Sequence, residues 1–135
     1  MLLSEVFGDS ATNYLVVDGF KFIDTKHAVE RFNQRYSDLA LSDDQSTKMF
    51  KDIARRVKKL QKAGVDTTNI FVTHNTFNIS MILKSVEFDN RDKTQKILIL
   101  TYLPSHNKTN TKNAPADTVN LVLENYGNLV YIEIN

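Results

Sequence analysis

At 135 residues, with 41% hydrophobic and 24% charged side chains and a formal net charge of +1, the chain fits one globular domain with a substantial core. It has no cysteine, which excludes a disulfide framework and thiolate chemistry. No stretch approaches the roughly 20 apolar residues of a membrane span, and Met1-Leu2-Leu3-Ser4-Glu5 lacks the basic region and long apolar run of a secretory signal, so a cytoplasmic protein is expected.

Residues 1–13 have no clear period and read as a loosely fixed lead-in. Tyr14 to Val17, Asp18-Gly19, and Phe20 to Ile23 form a short-hairpin signal, because Asp-Gly supplies the positive φ angles of a tight turn. Asp24 or Thr25 can cap a helix to about Ser37 with Ala28, Val29, Phe32 and Tyr36 as its apolar stripe. Ser42-Asp43-Asp44-Gln45 is a capping box. It opens a second helix whose stripe is Met49, Phe50, Ile53, Val57 and Leu60, stopped by Gly64. Strands are expected at 69–75, at 76–88 with a phase slip near Ile82, and at 96–103, with a turn at Asn90 to Lys93. A polar loop over 105–117 precedes a second hairpin, 118–124 and 129–134, around Asn125-Tyr126-Gly127-Asn128. The expected fold is α+β. It is a single domain over 1–135, with a hairpin and helices in 14–64 and an antiparallel sheet in 69–135, both helices lying on one sheet face.

Charge is unevenly spread. Lys26, Arg31, Arg35, Lys48, Lys51, Arg55, Arg56, Lys58, Lys59 and Lys62 face only Glu30, Asp38, Asp43, Asp44 and Asp52, a local balance of about +5. Such a surface suits a polyanion, and equally describes two well-solvated helix faces. His27, Arg31 and Arg35 fall at i, i+4 and i+8, on one helix face beside the apolar stripe. RNA cleavage by its own 2′-hydroxyl needs a proton acceptor, cations for the phosphorane and a proton donor. Histidine titrates in the right range and arginine forks match phosphate oxygens. The alternative is a capping or surface histidine, with the arginines paired to Glu30, Asp38 or a sheet carboxylate, a surface pair of that kind being worth little energy.

His27-x3-Arg31-x3-Arg35, the short strand before it and the amphipathic helix after it resemble the core of RelE-like and RegB-like endoribonucleases, in the wider barnase, colicin-nuclease and RelE fold group. Lys96 to Pro104 resembles the central strand of such domains. The resemblance covers about 20–104, and the second hairpin departs from it. It implies a RelE/barnase-like fold and a metal-independent, toxin-like RNase with no cofactor. Its implied active set is His27, Arg31 and Arg35, helped by Thr101 and Tyr102.

Lys26, Arg55, Arg56, Lys58, Lys59, His106 and Lys108 are candidates for nucleic-acid contact. Tyr36 reads as core, Tyr102 equally as core or helper, and His74 as a surface residue, the alternative being that it faces the site. No HExxH, CxxC, Walker loop or GxGxxG occurs. The expected partner is RNA, free or presented on the ribosome, with room for a protein partner or inhibitor and none for a membrane. Two other readings use the same surface: a non-catalytic nucleic-acid-binding or regulatory module, and a protein-interaction module contacting partners through the C-terminal hairpin.

Overall fold

A computed structural model describes residues 14–36, 38–103 and 129–135. The lead-in, the 105–117 loop with His106 and Lys108, strand 118–124 and its turn lie outside these residues. The elements are β1 (Tyr14–Val17), β2 (Phe20–Asp24), α1 (Lys26–Arg35), α2 (Asp43–Lys62), β3 (Asn69–His74), β4 (Ile79–Asp89), β5 (Thr94–Leu103) and β6 (Val130–Ile134).

Local signals set the boundaries. Asp18 and Gly19 both take positive φ, 50° and 84°, as the β1–β2 turn requires. Thr25 caps α1: its hydroxyl accepts from the Ala28 amide at 3.1 Å and donates to the Ile99 carbonyl at 2.8 Å, tying the helix start to β5. Ser42 and Gln45 close the reciprocal capping box of α2. Gly64, at φ 81°, lets the Val65 amide reach the Leu60 carbonyl and the Gly64 amide that of Gln61, a Schellman end that only a residue at ease in the left-handed region permits.

The sheet differs from the expected one. It has six strands in the order β1-β2-β5-β4-β3-β6 and is mixed. The N-terminal hairpin belongs to it, since β2 pairs parallel with β5. The last strand, β6, runs parallel to β3 at the other edge. Alternation of apolar residues reports which face a side chain takes and not strand direction. The burial of Phe22 and Ile23 on successive positions marks β2 as an inner strand.

Both helices bury their stripes in one core with Phe22, Ile70, Val72, Met81, Leu83, Ile97 and Ile99. Two register shifts separate β4 from β5. At the first, Leu100 is extra on β5, opposite Ile82 and Leu83, so the phase slip expected in β4 belongs to its partner there. At the second, the extra residue lies in β4 between Ser85 and Phe88. The Leu100 bulge returns Tyr102 to the helix-facing side. No described helix is long and apolar enough to cross a membrane.

Candidate nucleic-acid interface

The helical period of α1 places His27, Arg31 and Arg35 in a row. Arg31 Nε lies 3.4 Å from His27 Nε2, and Arg31 Nη1 donates to Gln34 Oε1 at 2.7 Å. Arg35 Nη1 donates to the Tyr102 carbonyl. That bond and the Thr25 cap pin the two ends of α1 to β5. Lys26 stands exposed at the start of the same helix.

The two helpers from β5 part company. Tyr102 pairs in register with Met81 on the helix side, Thr101 with Ile82 on the opposite face. Thr101 is therefore buried behind the sheet from the His27 row. Tyr102 is buried too, its ring edge-on to Phe32 with centroids 5.0 Å apart, and its hydroxyl donates to Asp24 Oδ1 at 3.2 Å. Burial, then the charge and hydrogen bond of Asp24, push the Tyr102 phenol well above its ordinary value. The row meets Tyr102 through the backbone carbonyl that Arg35 holds, and the aromatic contact comes from Phe32 of the adjoining stripe.

A different set of side chains does converge. Phe77, expected in a strand, sits in the β3–β4 turn, where Asn78 takes φ 55°. It lines two hollows at once. One, of about 340 Å³, lies against α2 and includes Lys48, Asp52, Arg55 and Arg56. The other, of about 260 Å³, lies against the end of α1 and includes Arg35, Tyr36 and Asp38. A half-buried aromatic ring thus stands between cations from both helices. Arg55 is exposed, whereas Arg56 holds the Glu133 carbonyl through both terminal nitrogens, 3.3 and 2.9 Å. Lys59 is also exposed and extends the Arg55 and Arg56 side of α2 by one turn. Lys58 points elsewhere, over the Phe20 ring.

The Phe77 ring rests on His74, centroids 4.9 Å apart. His74, expected at the surface, is 1% exposed because its position on β3 faces the helices. Its Nε2 meets Asp52 Oδ2 at 3.0 Å, Asp52 Oδ1 holds Lys48 at 2.7 Å, and His74 Nδ1 has no described partner. Partial burial raises the Asp52 carboxyl, but hydrogen bonds from Lys48 and His74, with their charges, more than offset it and leave it below the ordinary value. Tyr36 is core, as its stripe position implied, and its hydroxyl also bridges the Leu103 carbonyl and the Ser80 amide. Among the described residues no group of three or more His, Asp or Glu side chains could hold a metal ion. Neither Phe77 nor the Asp52–His74 pair was among the candidates from sequence. The nearby Asn75, Thr76 and Asn78 were the available signal, because such residues favour turns.

No family model, no curated protein and no solved structure matches the chain.

Proposed function

We propose that the chain binds single-stranded RNA along a path from α2, across Phe77, to the His27 row of α1. The observation that carries this reading is the position of Phe77, which lines both hollows between Lys48, Arg55 and Arg56 on one side and Arg35 on the other. A base can stack on the ring while the flanking phosphates meet the cations, the combination by which single strands are held without sequence readout. Each base–aromatic stack is worth about 1–3 kcal/mol. Phe77→Leu keeps apolar volume over His74 and removes the stacking face. It should weaken binding of an unstructured RNA oligonucleotide by an amount in that range, measured by anisotropy. Unchanged affinity would remove Phe77 from the path.

A second reading is endonucleolytic cleavage. It is favoured by the exposed His27 imidazole beside Arg31, which joins a proton-transfer group to a phosphate ligand on one helix. His27→Ala should then lower the rate about 10²–10⁴-fold with RNA affinity retained. The products would end in a 2′,3′-cyclic phosphate and a 5′-hydroxyl, and substrates with a deoxyribose at the cut would resist. Binding with no cleavage, on free RNA and on translating ribosomes, would leave the first reading alone.

A further inference from the structure

On the flank of α2 away from Phe77, a hollow of about 520 Å³ opens between the helix start, the β1–β2 hairpin and β5. Leu15, Phe22, Phe50 and Ile99 supply its apolar walls, and Asp24 and Asp43 its charge. Ser46 and Thr47 add hydroxyls, Tyr14 completes the lining, and no described lysine, arginine or histidine lines it. The half-charge at a helix N-terminus would ordinarily favour an anion there. Asp43 and Asp44 already answer it, and Ser42 and Gln45 occupy capping groups.

Asp24 is the unusual member. Three described carboxylates are buried or half-buried: Asp24, Asp52 and Asp89. Lys48 lies 2.7 Å from Asp52 and Lys96 lies 3.6 Å from Asp89. Asp24 has no described cation within ion-pair distance, and its described hydrogen-bond partner is the neutral Tyr102 hydroxyl. A carboxylate withdrawn from water without a cation costs free energy that an incoming cation can recover.

We propose that this hollow binds a small organic ammonium ion, its charge facing Asp24 and Asp43 and its apolar body against Phe50 and Leu15. The ammonium group has three N–H donors, for which the two carboxylates and the Ser46 and Thr47 hydroxyls are acceptors. The apolar walls favour an amine carrying hydrocarbon over a hydrated inorganic cation, which gains nothing from them. Burial raises Asp24 to about 6, against a smaller lowering by the Tyr102 hydrogen bond. The other titratable groups around it are Asp43 from α2, Tyr14 from β1 and Tyr102 from β5. On the hairpin, Lys21 sits over the Tyr14 ring and is paired with Asp92. Lys26 and His27 on α1 are exposed and outside the lining. This inference is independent of the RNA reading.

The probe is phenethylamine, followed by NMR on the full chain with labelled carboxyl groups. At pH 8 the amine should give saturable shifts at the lining residues. It should also lower the Asp24 midpoint toward the ordinary carboxylate value. Its affinity should fall about tenfold per pH unit below that midpoint, where a proton competes for the carboxylate. Phenethyl alcohol, with the same body and no charge, should bind at least tenfold more weakly. Asp24→Asn, whose amide oxygen can still accept from Tyr102, should lose the amine, while Tyr102→Phe, which keeps the carboxylate, should retain it. Equal binding of the alcohol would reduce the hollow to an apolar dent and overturn the proposal. So would amine binding that survives Asp24→Asn, or no saturable shift in the unmodified chain.

Discussion

The two flanks of α2 solve opposite electrostatic problems. Toward Phe77 the helix presents Lys48, Arg55 and Arg56, and its one carboxylate, Asp52, is held by Lys48 and His74. Toward the hairpin it presents Asp43, Ser46, Thr47 and Phe50, facing an Asp24 with no described cation within ion-pair distance. One helix thus separates a basic hollow from an acidic one, and its buried stripe of Met49, Ile53 and Val57 fixes both. A net charge of +1 hides this division, because a sum over the chain carries no position while each hollow keeps its own local field.

The two flanks differ most in burial at Phe50. Its ring packs on Phe22 with centroids 4.8 Å apart and it is 8% exposed. Phe50→Ala removes a core side chain as well as a wall of the acidic hollow, and should cost about 3–5 kcal/mol in denaturant unfolding. Arg55→Ala, on the exposed basic side, should stay within about 0.5 kcal/mol. Similar losses for the two would mean that the flanks do not differ in burial as described.

A sharper contrast comes from two aspartates with opposite pH signatures. Burial raises Asp24 to about 6 from an ordinary value of 3.8. Its protonated form is thus favoured in the native state, and the stability it contributes below pH 4 is lost as pH rises through 6. Asp24→Asn removes that loss and should be stabilising by about 2–3 kcal/mol at pH 8, converging on the parent near pH 4. Asp52 runs the other way. Its native value is depressed, so its contribution is present above the ordinary carboxylate range and is lost as pH falls. Asp52→Asn should therefore destabilise at pH 8 and approach parity in acid. Thermal melts of both variants across pH decide the matter, and slopes of the same sign would undo the contrast.

Much of this architecture was legible in local chemistry. The Asp18-Gly19 turn, the Ser42 capping box and the Gly64 stop all rest on interactions within a few residues, and so could be read along the chain. Strand direction could not, because β2 meets β5 and β3 meets β6 across long separations that alternation does not encode. The candidate site was half visible. His27, Arg31 and Arg35 share a helix face as their spacing implied, but strand alternation sends Thr101 and Tyr102 to opposite faces of the sheet, and the Leu100 bulge decides that Tyr102 is the one facing the helices. Phe77 fits the alternation of Ile79 and Met81 and so reads as strand, although Asn78 beside it takes the left-handed turn conformation. His74 was hidden for a different reason. Its polar neighbours Thr73 and Asn75 suggested a surface strand, but Thr73 is buried on the other face, and His74 turns inward to Asp52.

The basic flank as an RNA path is tested most directly by the salt dependence of RNA affinity. The experiment compares the parent chain, Lys48→Ala/Arg55→Ala and Lys58→Ala. Lys48 and Arg55 line the Phe77 hollow, whereas Lys58 lies over Phe20 on the hairpin side. Each phosphate contact removed from a single strand lowers the log–log slope by about 0.7. The double variant should therefore show a slope shallower by about 1.4, and Lys58→Ala should keep the parent slope. Identical slopes for all three proteins, or a loss confined to Lys58→Ala, would contradict the assignment of this flank to RNA.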